Sequence, residues 1–279
     1  MIKTNKKRLP YAIFRQAVMI IATFCFLAPF VIVFMVSLKT GSDVYSTTIF
    51  PKKATLDNYA YVFSSTSILK SFSNTIFYVA LPLLVGVLTS SMASYALGRL
   101  KFKGSEIIFS VLFATVLITG IITLVPSYVM FANFYHWVGT PLPLIVPGMF
   151  GGVMVMFYLR QYMLGLPYEL EEAAFIDGLN RGGIFFKIIL PLCKPAIIAQ
   201  LVLSFTGFYN DLMTPLMYIN TKPELWTVQL VINSLNSEYG ALQERLLAAC
   251  IIALLPTFVL FAVAQRSFID GIAVSGNKE

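Results

Sequence analysis

Six long apolar segments constrain this chain more than anything else in it. They run near residues 12–38, 73–98, 107–131, 141–159, 196–219 and 246–265. A helix needs roughly 20 apolar residues to cross a bilayer. Lipid cannot satisfy backbone N–H and C=O groups, so a spanning segment is a helix or a strand of a closed barrel. Barrel strands alternate apolar and polar residues, and these segments do not. The reading is therefore an all-α membrane protein with six transmembrane helices. Apolar residues make up 58% of the chain and charged residues 12%. A soluble domain has about 45–50% and about 25%. The apolar run from Ala12 exceeds the 7–15 residues of a signal-peptide core, so it is read as an uncleaved first span.

The net charge of +7 belongs to loops. No basic stripe stands on a polar domain, so nucleic acid is excluded as a partner. Placing the N-terminus inside puts Lys3, Lys6, Lys7, Arg8, Arg15, Arg99, Lys101, Lys103, Arg160, Arg181, Lys187, Lys194, Arg266 and Lys278 on the inner face. Lys39, Lys52, Lys53, Lys70, Lys222 and Arg245 then lie outside, so the 20 basic residues divide 14 to 6. This asymmetry orients both termini toward the cytoplasm. Cys25, Cys193 and Cys250 have no paired spacing, and His136 stands alone beside Trp137. They suggest neither a disulfide framework nor a metal site; His136 and Trp137 read as an interfacial pair.

The expected organisation is a cytoplasmic N-terminus (1–11), a first span (12–38), an external segment (39–72), a core (73–265) with a cytoplasmic loop at 160–195, and a tail (266–279). The external segment carries Leu56-Asp57-Asn58-Tyr59, and the outer loop at 220–245 carries Trp226 and Tyr239 as interface anchors or partner contacts. Ser90, Ser94 and Gly98, and again Gly148 and Gly152, recur at helical spacing. Such small residues let helices approach closely and do not identify a function. No internal repeat is visible.

The loop at 160–195 holds the most specific pattern. Glu172-Ala173-Ala174 is followed after three residues by Gly178, and after nine more by Ile188-x-Leu190-Pro191. Pro167 suits a first helical turn. Glu169, Glu171 and Glu172 follow where the helix dipole favours anions. Leu170, Ala173, Ala174 and Asp177 share one face, and Gly178 supplies a stop. A helix of about three turns is expected. Its two alanines leave a shallow face that a partner can approach, and its acids can pair with basic groups. Leu190-Pro191 and Lys194-Pro195 keep it from running smoothly into the fifth span.

This spacing resembles the cytoplasmic signature of the membrane subunits of ATP-driven (ABC-type) importers, and the chain resembles the carbohydrate group over nearly its full length. Ala93-Ser94-Tyr95-Ala96-Leu97-Gly98-Arg99-Leu100-Lys101-Phe102-Lys103-Gly104 is similar to that family's turn after the second span, and Leu56-Asp57-Asn58-Tyr59 to an external motif. Ile176-Asp177-Gly178 has the form typical of sugar permeases. The resemblance implies a type I importer permease bundle in a bacterial inner membrane. It implies that Glu172, Ala173, Ala174, Asp177 and Gly178 form a coupling helix docked on a cytoplasmic ATPase, with Ile188, Leu190 and Pro191 closing the motif. It implies further partners: a second permease in a heterodimer, an ATPase dimer that binds the ATP, and an external sugar-binding protein. Leu179 stands where the family commonly has Ala, Arg181-Gly182-Gly183 is richer in glycine than expected, and Gly271 to Glu279 resembles a short C-terminal extension.

The fifth span carries Tyr209, Asn210, Asp211 and Pro215. A charge at mid-helix costs roughly 2.5–3.5 kcal/mol on insertion scales. Asp211 lies about 15 residues from the inner end, about 23 Å at helical rise. Three roles stand open for it: pairing with a partner subunit, facing a wet cavity that binds sugar hydroxyls, or solvation near the outer interface. Tyr209, Asn210 and Asp211 are the candidate substrate path. The chain lacks a phosphate-binding Gly-x-x-x-x-Gly-Lys-Ser/Thr loop and any clustered catalytic groups, so it reads as a non-enzyme without cofactor. The alternatives are an importer for another solute class and an ion-coupled secondary transporter, which would need relays in several spans.

Overall fold

A computed structural model describes residues 9–100, 102–238 and 243–276. The expected inner charges Lys3, Lys6, Lys7, Arg8, Lys101 and Lys278 and the expected anchor Tyr239 lie outside the described residues. So does the end of the tail from Asn277. Among the described residues every regular element is helical. Four helices are long and apolar enough to cross a membrane, or six if each sharply bent pair is one span. The helices sort into two compact units, one made of residues 1–66 with 232–254 and the other of 67–231 with 255–279.

In the first unit, helix α1 (Leu9–Ser37) has 29 residues, about 44 Å at helical rise. Its large apolar side chains from Phe14 to Ile32 are exposed, as suits a helix whose solvent is lipid. The chain then makes a 3-10 turn (Gly41–Tyr45) and helix α2 (Asp57–Ser65). The Leu56-Asp57-Asn58-Tyr59 motif ties α2 to the end of α1. Asn58 Nδ2 donates to the carbonyls of Ser37 (2.8 Å) and Lys39 (2.9 Å), and Tyr59 Oη bonds Ser37 Oγ at 2.7 Å. These bonds satisfy orphan carbonyls that a helix end leaves. Lys39 is buried, with Nζ donating to Ser46 Oγ and the Thr48 carbonyl. Arg245 lies over the Tyr61 ring at 3.8 Å.

The second unit is organised on helix α3 (Ile68–Arg99), which begins at residue 68 rather than 73. The remaining spans are less regular than their composition suggests. The third is α4 (Ser105–Ala114), a 3-10 turn, and α5 (Gly120–Asn133), with a bend of 96°. Ile118 and Thr119 are extended there, so the helical hydrogen-bond ladder cannot continue. The fourth is α6 (Leu142–Met149) and α7 (Val153–Leu164), separated at Gly151, whose φ is +87°.

Hydroxyls of α3 compensate this second break. Thr89 Oγ1 donates to the Met149 carbonyl at 3.0 Å, and Ser90 Oγ accepts from the Gly152 N–H at 3.1 Å. One turn on, Ser94 Oγ donates to the Met156 carbonyl at 2.8 Å. The small-residue stripes thus face each other, and the serines also replace missing backbone bonds. At Gly86 the backbones themselves meet, because a Cβ there would strike the Gly148 carbonyl.

The chain continues through α8 (Glu169–Ile176), α9 (Arg181–Ile184), a π-helical turn (Phe185–Ile189) and α10 (Leu190–Leu192) to α11 (Lys194–Tyr209) and α12 (Met213–Tyr218). The expected span at 196–219 is therefore interrupted at 210–212, ahead of Pro215. Helices α13 (Val228–Glu238) and α14 (Gln243–Gly276) follow, and α14 runs unbroken into the expected tail. Within the second unit the Trp226 indole N–H donates to the Asn220 carbonyl at 2.9 Å. His136, with φ +52°, forms the turn between Phe131 and Trp137, whose rings stack at 5.4 Å.

Two outcomes follow for stability. Gly86→Ala forces the α3 and α6 backbones apart. Overpacking of this kind costs about 1–3 kcal/mol, so the unfolding midpoint of the detergent-solubilised protein drops, whereas Gly120→Ala, with open space around it, leaves it unchanged. In the first unit, the Lys52 backbone N–H, aided by Ser46 Oγ, holds the Asp43 carboxyl below its ordinary 3.8. A depressed carboxyl stabilises the fold above its unfolded pKa, and that stabilisation is lost as pH falls through the lower folded value. Protection of the Lys52 amide, corrected for intrinsic exchange, therefore falls on acidification below 3.8, and Asp43→Asn removes this acid-dependent step.

Candidate functional site

Helix α8 lies between two ends that differ from expectation at the start and agree with it at the stop. It has eight residues, about two turns instead of three. It starts at Glu169, so Pro167 precedes the cap residue Tyr168 and stands outside the first turn. Arg99 donates to the carbonyls of Leu166 and Pro167 just ahead of this start. At the other end the Gly178 N–H donates to the Phe175 carbonyl (3.1 Å) and the Leu179 N–H to the Ala174 carbonyl (3.0 Å). This is a Schellman stop. It requires φ +84° at Gly178, where a Cβ would meet nothing within 4 Å, so glycine serves conformation there and not close packing.

Arg99 closes the last turn of α3 and is 3% exposed. Its Nε pairs with Glu171 Oε1 at 2.5 Å. Nη1 donates to the carbonyls of Met163 (3.2 Å) and Leu166 (2.9 Å), and Nη2 to that of Pro167 (3.2 Å). The guanidinium lies over the Tyr168 ring, 3.7 Å from its centroid. One side chain therefore joins the ends of α3 and α7, the intervening turn and α8. The sequence places Arg99 in the motif after the second span and Glu171 among acids at a helix start. The pairing of two residues 72 positions apart is not legible there.

The expected docking residues divide between two faces. Glu172, Ala173, Asp177 and Gly178 are exposed. Ala174 is buried in a cluster that includes Tyr95, Leu159 and Ile184, so it faces the helix's support and does not share an open face with Ala173. Phe175 and Ile176, 59% and 85% exposed, project instead, and the sequence reading does not single them out for docking. The acids also divide. Glu171 is committed to Arg99, whereas Glu169, Glu172 and Asp177 are exposed.

Beyond Gly178, Asn180 Oδ1 accepts from the Gly183 N–H at 2.7 Å and starts α9. Ile188 and Leu190 are half-buried against the core, Pro191 is exposed, and the deepest residue of this stretch is Ile189. The path from Arg181–Leu192 to Lys194–Tyr209 turns by 75° at Cys193, where the sequence places an interruption. The two departures at 179 and 181–183 are coupled. Leu179 packs on the core, and a Cβ on Gly183 would lie 3.1 Å from its Cδ2.

Residues 8–272 match the family described as Binding-protein-dependent transport system inner membrane component. The chain belongs to this family. It is the permease component of a binding-protein-dependent transport system and a multi-pass membrane protein. It is 31% identical over 261 residues to the arabinooligosaccharides transport system permease protein AraQ of Bacillus subtilis (strain 168), covering 91% of each. It is also 31% identical to the probable starch degradation products transport system permease protein AmyC of Thermoanaerobacterium thermosulfurigenes, covering 93% of this permease and 94% of that one. These relatives are transport permeases. The fold is that of an ABC importer permease: a chain of a bacterial ABC transporter involved in the import of the acidic polysaccharide alginate superposes with a TM-score of 0.79, 20% identity, 96% coverage of this permease and 100% of that chain.

The permease's candidate substrate residues occupy the break between α11 and α12. Tyr209 is 1% exposed and stacks on Phe205 at 5.3 Å. Asn210 is exposed; its Nδ2 donates to the Thr206 carbonyl at 3.0 Å, and its Oδ1 accepts from Gln229 at 3.4 Å. Asp211 is half-buried, and its Oδ1 accepts from the Thr214 N–H at 3.2 Å. It therefore serves the exposed N–H groups at the start of α12, a local role absent from the three read from sequence. Tyr209 and Asp211 line one cavity with Thr75, Tyr78 and Thr227, of about 30 Å³, room for a water molecule and not for a sugar ring. A larger cleft of about 240 Å³ lies between α3, α6 and α11, lined by Pro82, Gly86, Gly148, Ser204 and Phe208.

Gly178→Ala tests the stop of α8. An alanine forced into the left-handed region costs about 1–2 kcal/mol, so amide exchange across α8 rises. Gly178→Asn raises it less, because asparagine tolerates that region.

Proposed function

We propose that this permease forms half of the translocation path of an ATP-driven importer of sugars or oligosaccharides, and that α8 is the surface through which a cytoplasmic ATPase dimer drives it. The observation that carries the coupling reading is the form of α8: Ala173, Phe175 and Ile176 project from a short helix whose other face is tied down by Arg99 and Ala174. An apolar knob with Glu172 beside it suits a hydrophobic groove with a basic rim. The sugar class is supported by relatives named for arabinooligosaccharides and starch degradation products. A second alginate transporter structure, described as in complex with an alginate pentasaccharide-bound periplasmic protein, shares the fold at a TM-score of 0.64 and 17% identity. An external sugar-binding protein and a second permease complete the assembly in this reading.

Both termini and α8 face the cytoplasm in this reading, as the 14-to-6 division of basic residues supports. The partner ATPases bind and hydrolyse ATP. Their closure displaces α8, and the permease pair exchanges an inward-open for an outward-open arrangement. ATP and the loaded binding protein each bias that two-state equilibrium through their different affinities for its states.

Ala173→Glu adds a charge at the shallow point of the docking face without touching the buried side. The expected result is about a tenfold or greater loss of ATPase co-purifying with the permease, within the range of interface hot spots, with loss of oligosaccharide uptake by cells. Full co-purification and uptake in this variant would remove α8 from the ATPase contact.

A further inference from the structure

Helix α8 has few attachments to the permease that bears it. Its buried residues are Glu171 and Ala174. Ala174 sits against an apolar cluster, a contact with no directional preference. Glu171 binds Arg99, and Arg99 also grips the turn leading into α8 at Leu166 and Pro167 and the end of α7 at Met163. All three nitrogens of the guanidinium are engaged. On its far side α8 runs through the Gly178 stop into α9, a π-helical turn and α10, and then through the 75° elbow at Cys193 to α11. A force on α8 thus has a direct route into α3 through a buried, charge-assisted fork, and a jointed one into α11.

Helix α3 is a suitable receiver. Thr75 and Tyr78 line the small cavity at Asp211, and Pro82 and Gly86 line the larger cleft. The comparable pair between Arg160 and Glu106 is a poorer link, because Glu106 is 74% exposed and screened by solvent.

We propose that Arg99 is the positioning residue that makes α3 move with α8, carrying the displacement of the docking helix to the walls of the two cavities. The inference rests on the coupling reading above, and assigns it a route. A lysine keeps the charge, but its single compact ammonium cannot reproduce the planar fork. Charge alone therefore does not suffice.

The test is hydrogen exchange on the complete complex with its ATPase in lipid nanodiscs, with and without Mg-ATP. In the unmodified complex, ATP alters exchange in α8 and in the last turns of α3, residues 91–99. In Arg99→Lys the response of α8 persists while that of residues 91–99 falls about fivefold or more, the lower range of coupling between sites. A residue that served only folding would lower the yield of complex and leave the two responses in proportion. Glu171→Gln, which keeps the shape and removes the charge, gives the same dissociation of the two responses and stands in if the lysine variant does not assemble. An undiminished α3 response in either assembled variant overturns the strut alone, and failure of both variants to assemble assigns the pair to folding and also overturns it. An unmodified complex in which α8 does not respond to ATP overturns the coupling reading and the strut with it.

Discussion

A single buried guanidinium holds the projecting part of this permease in place. Arg99 meets one carboxylate, three carbonyls and an aromatic face. Breaking a buried ion pair by removing one member costs about 3–5 kcal/mol, because the other is left uncompensated, whereas an apolar replacement of both is often neutral. Such a pair is therefore better evidence for fixed geometry than for added stability. Here the fixed geometry is that of a two-turn helix too short to persist alone in water. With Glu171 and Ala174 turned inward, Ala173, Phe175 and Ile176 have no alternative but to face outward. The exposed face of α8 is defined by what its opposite face is tied to.

The same economy operates within the spans. A broken helix in lipid must find partners for its freed backbone groups. The break at Gly151 finds them in Thr89 and Ser90, two neighbouring hydroxyls on α3. The small size of the residues along that face brings the helices close enough for the bonds to form. Glycine at 86 and serine at 90 thus contribute together, one by admitting the approach and the other by completing the ladder. The elbow at Cys193 and the break at Asn210 give α11 two ends at which direction changes, and the polar atoms of Asn210 and Asp211 are used by the second of these.

Much of this was legible in the sequence, and the parts that were not share a cause. Apolar length found the spans because hydrocarbon thickness sets it. The spacing at 172–178 found a short helix and its stop at Gly178, because backbone chemistry at a left-handed position is local. The sequence reading placed three continuous helices where α4–α5, α6–α7 and α11–α12 are interrupted. Composition reports that a segment prefers lipid and says little about where its ladder breaks, since hydroxyls on another helix decide whether a break is tolerated. For the same reason Ala173 and Ala174 look equivalent in sequence and lie on opposite faces of α8. Asp211 reads as an ionisable group at depth, and its bond from the Thr214 N–H appears only once the break beside it is seen.

The glycine at 183 has a consequence for how this loop can be exchanged with those of its relatives. Leu179 occupies the space a side chain at 183 would need, so the two positions are one unit of volume divided unequally. A graft bringing alanine to 179 alone leaves a hole behind α8, and one bringing a side chain to 183 alone makes Leu179 give by a few tenths of an ångström. Only the joint exchange conserves the filling. Chimaeric permeases that exchange this loop should therefore take their junctions outside 179–183.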